Sequence, residues 1–81
     1  MSEGKSIIDI KDYGQVNIRL KEILEQKKMT RNRLCVLTGI KFDTVQKYYL
    51  GTVYRIDVDV LARLCYALDC KIQDVIEYTF N

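Results

Sequence analysis

Residues 30–51, TRNRLCVLTGIKFDTVQKYYLG, decide how this chain is read. Their spacing predicts two short helices joined by a tight turn. The first opens at Thr30, a good N-cap, and carries Leu34, Cys35 and Leu37. It stops at Thr38-Gly39, where glycine takes the left-handed conformation that ends a helix. The second, over about 42–50, carries Val45, Tyr48 and Tyr49 and stops at Gly51. Two short helices around a glycine turn, the second rich in exposed polar groups, form a helix-turn-helix.

Working outward, Val16, Leu20, Ile23 and Leu24 share one apolar face and predict helix one over about 15–28. Met29 precedes the Thr30 cap and can staple it. Asp57 is placed to cap helix four over about 58–68, where Leu61, Leu64, Cys65 and Leu68 follow the i, i+3, i+4, i+7 pattern. Helix five is predicted over about 72–78, with Ile72, Val75 and Ile76 inward. Residues 1–13 show no helical period and are expected as an N-terminal arm, with a possible short strand over 6–10. Gly14 breaks the chain there. The expectation is an all-α, compact five-helix domain over residues 14–81, preceded by that arm.

Eighty-one residues make one small domain. No apolar run is long enough to span a bilayer, and the start MSEGKSIIDIK lacks the features of a signal peptide. A cytoplasmic protein is expected. The three cysteines, Cys35, Cys65 and Cys70, are odd in number and show no CxxC spacing. With no histidine in the chain, neither a disulfide framework nor a zinc site is expected. The thiols read as small hydrophobes, with Cys70 partly exposed in a turn. The absence of Ser-His and Cys-His pairs and of a phosphate-binding loop weighs against catalysis. Nothing in the sequence calls for a cofactor.

Net charge is only +2, but its distribution is uneven. Residues 19–55 hold nine basic and three acidic side chains, a net of +6, against −1 before and −3 after. The basic charge therefore surrounds the helix-turn-helix. A basic face attracts phosphate and releases counterions, and a helix of this kind fits the DNA major groove.

The order of a basic first helix, then TRNRLCVLTGI, KFDTVQKYYLG, DVDVLARLCYALDC and KIQDVIEY, resembles the phage repressor and Cro-like helix-turn-helix family. These are the lambda-repressor-like, or xenobiotic-response-element, regulators. The resemblance covers residues from about 16 to 78. It implies a five-helix domain that binds double-stranded DNA and regulates transcription, usually as a homodimer. The chain departs from the usual pattern at several places. Cys35 stands where alanine is common, Lys41 where a small hydroxyl residue often caps, Phe42 where a polar residue is usual, and Asp69 where glycine is frequent. Arg31 and Arg33 occupy a helix start where Gln and Glu are common. Basic groups there oppose the helix dipole, and a local rule broken without compensation points to function.

The resemblance implies base-reading positions at Phe42, Asp43, Thr44, Gln46 and Lys47. Gln46 is suited to adenine and Lys47 to guanine; Thr44 suits a thymine methyl or phosphate. Phe42 is open between a thymine-methyl contact and packing at the turn. Asp43 is open between accepting from cytosine and capping helix three in a box with Gln46. The phosphate candidates are Arg31, Arg33, Lys41, Tyr49, Tyr54 and Arg55. Arg55 alternatively pairs with Asp57. Two other classes remain in view: a protein-interaction module such as the antitoxin of a toxin–antitoxin pair, and a structured-RNA binder using the same basic face. The arm and helix five are the candidate dimer surfaces.

Overall fold

The computed structural model describes residues 4–6 and 12–80. The expected strand within the arm falls mostly on residues 7–10, outside those residues. The chain runs β1 (Gln15–Ile18), α1 (Leu20–Lys27), α2 (Arg31–Thr38), α3 (Phe42–Leu50), α4 (Val58–Leu68), α5 (Ile72–Val75) and β2 (Ile76–Thr79). Five helices are present, as expected. The all-α expectation is corrected by β1 and β2, which pair antiparallel with Val16 opposite Tyr78 and Ile18 opposite Ile76.

That correction moves two predicted boundaries. Residues 15–18 are strand, so α1 starts at Leu20. Val16 lies exposed on the ribbon rather than on a helical face. Helix five ends at Val75 after one turn, and the chain continues extended. Gln-Val-Asn-Ile and Ile-Glu-Tyr-Thr each alternate polar and apolar residues, which suits a half-buried strand. The partner is some 60 residues away in sequence, so local helical spacing carried no sign of it. Arg19 seals the junction. Its backbone N–H donates to the Val75 carbonyl at 2.6 Å. Its guanidinium pairs with Glu22 at 3.0 Å and also with Glu77. The hydrogen bond to Glu77, then the charges of Glu77 and Glu22, raise its already high pKa.

The core fills the space between the helices. Leu20, Leu24, Leu34, Val45, Leu64, Leu68 and Val75 are fully buried. Met29, Cys35 and Cys65 pack against it, and so does Cys70, whose thiol pKa is raised chiefly by burial. Ile72, expected inward, is about half exposed. The helix ends follow the predicted chemistry. The Thr30 side chain accepts from the Arg33 N–H at 3.0 Å. The Asp57 carboxylate accepts from Asp59 and Val60 N–H groups at 2.8 and 3.3 Å. The Asp69 φ of 51° places a left-handed residue where glycine is frequent. The α4 end still closes: the Asp69 N–H donates to the Tyr66 carbonyl and the Cys70 N–H to the Cys65 carbonyl. Among the described residues, no helix is long and apolar enough to cross a membrane.

Candidate nucleic-acid interface

The turn between α2 and α3 is built by three residues. Gly39, at φ 73°, donates its N–H to the Cys35 carbonyl at 2.8 Å. Buried Thr38 donates its hydroxyl to the Leu34 carbonyl at 2.7 Å, and the same oxygen accepts from the Ile40 N–H at 3.2 Å. Arg63 reaches across from α4 and donates to the Thr38 carbonyl at 2.9 Å. Nothing in the motif's own residues signalled this Arg63 brace, because it comes from 25 positions away. The turn sets how α3 leaves α2.

Ile40 is buried, so the chain re-enters helix at once, and Lys41 is its last extended residue (φ −66°, ψ 148°). This settles the capping question. Helix α3 begins at Phe42, Lys41 is the N-cap, and no side chain bonds there. The box between Asp43 and Gln46 is not formed. Asp43 sits exposed in the first helical turn, where its charge is favourable to the dipole. The start of α3 therefore presents uncapped backbone N–H groups flanked by Lys41.

The structure divides the candidate residues between two sides of α3. On the α2 side, Phe42, Gln46 and Tyr49 fall at i, i+4 and i+7. The Arg31 guanidinium lies over the Tyr49 ring at 4.3 Å and 6.0 Å from the Phe42 ring. It also donates from Nη1 to the Gln46 Oε1 at 2.6 Å. A guanidinium has donors only, so it must meet the amide oxygen, leaving the Gln46 amide N–H donors free of that contact. The cation–π contact is worth roughly 0.5–1 kcal/mol at such a site. Arg31 is thus held in place rather than waving in water.

On the other side, Thr44 and Lys47 line a groove with Thr52, Tyr54 and Arg55 of the loop after α3. The groove floor includes Tyr48, whose buried ring sits in the core while its hydroxyl accepts from the Asp57 N–H at 3.0 Å. The Asp57 carboxylate is occupied at the start of α4, and among the described residues Arg55 makes no ion pair with it. Tyr54 is fully exposed. Arg33 is exposed. Between the two sides, Asp43, Lys47 and Leu50 form an exposed row at i, i+4 and i+7. Leu50 had no assigned part in the sequence reading; its exposure beside Lys47 is what draws notice. Among the described residues no cluster of His, Cys, Asp or Glu is placed to hold a metal.

A two-helix unit with an exposed, uncapped second helix, flanked by cationic groups on both sides, defines a helix-turn-helix DNA-binding domain. The model of the Cro/C1-type helix-turn-helix DNA-binding domain matches residues 19–81, and the chain belongs to that family. No curated protein matches the chain. The fold is similar to the crystal structure of a putative DNA-binding protein from Bacteroides fragilis. The TM-score is 0.68 at 19% identity, over 78% of this chain and 100% of that one.

Proposed function

We propose that this chain is a sequence-specific, double-stranded-DNA-binding regulator of transcription that lays α3 in the major groove and acts as a homodimer. The observation that carries this reading is the two-sided arrangement about α3. Arg31 is fixed on one flank and Arg55 with Tyr54 lies on the other, so that cations can meet the phosphates of both groove walls while the face between them meets base edges. Lys47 donates to guanine and Asp43 accepts from cytosine. Gln46 donates its amide N–H toward a base acceptor while its oxygen stays bound to Arg31. Thr44 and Phe42 supply contacts to a thymine methyl. Lys41 and the uncapped N–H groups of α3 bind phosphate, with Arg33 at the margin. Tyr49 acts chiefly by holding Arg31. A homodimer would place two copies of α3 about one DNA turn apart on a near-palindromic site.

Selection from a random duplex pool tests the reading. We expect an enriched site with inverted half-sites, and single substitutions at Lys47 that relax preference at one position per half-site. Enrichment of no sequence at all would contradict base reading by α3. Preference for structured RNA over duplex DNA at equal salt would favour the RNA alternative.

A second reading, as a protein-interaction module such as an antitoxin, is favoured by a largely apolar groove between α2 and α4, lined by Leu37, Thr38, Ala62, Arg63, Tyr66 and Ala67. A stable complex with a second protein seated in that α2–α4 groove, formed by a chain that binds no duplex DNA, would support it over the DNA reading.

A further inference from the structure

The hydrogen bond from Arg31 to Gln46 joins the first turn of α2 to the middle of α3, between residues 15 positions apart. Both side chains are partly buried. A glutamine amide has one oxygen, which accepts, and one NH2 group, which donates two hydrogen bonds; a guanidinium only donates. Turning the Gln46 amide over would set its NH2 group against the Arg31 donors. The 2.6 Å bond to Oε1 therefore holds the amide one way round. Arg31 is itself held, stacked on the Tyr49 ring at 4.3 Å with the Phe42 ring at 6.0 Å. Stacking of this kind keeps the planar guanidinium fork pre-organised. Among the described residues Arg31 makes no ion pair, so no carboxylate competes with Gln46 for it.

This arrangement changes what α3 offers a base edge. An unconstrained glutamine presents an acceptor and a donor side by side, which fits the adenine N6 amino group and N7. That pairing is why Gln46, read alone, suits adenine. Here the acceptor is turned onto Arg31, and the NH2 group is what remains. Guanine shows two acceptors in the major groove, N7 and O6, and both match an NH2 donor. Adenine shows one acceptor beside its amino group, and that amino group would face the Arg31 cation.

We infer that Arg31 sets the base that Gln46 reads, turning its preference from adenine to guanine. The inference rests on the reading of α3 as the major-groove helix and adds a base and the residue that dictates it. Arg31 acts here as a positioning residue, through Gln46, separately from any phosphate it meets. A phosphate contact strengthens binding to every sequence alike. The bond to Gln46 alters preference at a single position.

Competition binding of the full chain to duplexes carrying the selected site tests this. Gln46→Ala first locates the position, as the one where preference is lost. Duplexes with guanine or adenine at that position are then compared for wild type, Arg31→Met and Gln46→Glu. Methionine keeps an apolar stem beside Tyr49 but has no donor. Glutamate keeps the bond to Arg31 but offers a base no donor. We expect wild type to prefer guanine by about tenfold. Arg31→Met should bind both duplexes more weakly and prefer adenine, and Gln46→Glu should lose the guanine preference, both with unchanged helical circular dichroism. A wild type that prefers adenine, or a Gln46→Ala variant that alters no position, would overturn the inference. So would an Arg31→Met variant that weakens both duplexes equally and leaves their ratio unchanged. In each of those cases the DNA reading survives, whereas failure to select any site would overturn that reading as well.

Discussion

The helix-turn-helix and the terminal ribbon meet at one core but are held together by different kinds of interaction. Residues 30–51 combine local signals, a Thr30 cap, a Gly39 turn and Thr38 bonded to Leu34 and Ile40, with Leu34, Val45 and Tyr48 buried in the shared core and the Arg63 brace from α4. The ribbon joins residues 15–18 to 76–79 and is held by its cross-strand pairing, the seat of Ile18 and Ile76, the Arg19 contacts to Val75 and Glu77, and hydrogen bonds from Asn17 to Thr79 and from Tyr78 to the Tyr13 carbonyl. The first region is a rigid platform for α3. The second is a partly uncovered appendage whose apolar side continues the core. We therefore expect damage to the platform to be global and damage to the ribbon to be local.

The largest effect is expected from Leu34→Ala. Leu34 is fully buried beneath the turn, and the cavity should cost about 3–5 kcal/mol, read from denaturant midpoints. A loss under about 1 kcal/mol would mean the platform repacks freely and the contrast fails. Gly14→Ala comes next. The strained φ and the collision with the Thr79 carbonyl should cost about 1–3 kcal/mol. Hydrogen exchange should show β1 and β2 opening while α2 and α3 keep their protection. Equal loss of protection in both regions would make the ribbon part of the cooperative core.

A double-mutant cycle of Arg31→Ala and Gln46→Ala on specific DNA sharpens the platform side. Each substitution should cost about 1–3 kcal/mol, and the two together should cost less than their sum, because the Arg31–Gln46 bond joins them. Strict additivity would show that Arg31 serves phosphate alone. The smallest effect is expected for Val16→Ala, under about 0.5 kcal/mol, since that side chain is mostly in water. A larger loss would place Val16 in the folded core.

What could be read from the sequence divides along the same line. Thr30, Gly39, Gly51 and Asp57 announce helix ends by local chemistry, and the stripe from Leu61 to Leu68 fixes α4 at Val58–Leu68. The strands were illegible because four residues of alternation are too few to outweigh an adjoining helical pattern, and their pairing is non-local. Val16 sits four residues before Leu20, which mimics a helical face. The Asp43–Gln46 box was plausible in sequence but gave way to the buried Ile40, which sets where α3 starts. The candidate site was legible as a set of residue types. Its division into two flanks was not, because Arg31 meets Gln46 and Tyr49 only once the turn has folded α3 back against α2.

The central claim, that the α3 face and its two cationic flanks engage duplex DNA, is tested most directly by a salt titration of the full chain on the selected site, with Arg31→Ala and Arg55→Ala alongside. We expect log K to fall linearly with log salt, with a slope near −3 to −4 per protomer from about four phosphate contacts, and each variant to reduce that slope by about 1. Binding that is undetectable at about 50 mM salt, or a slope that neither variant changes, would contradict the claim.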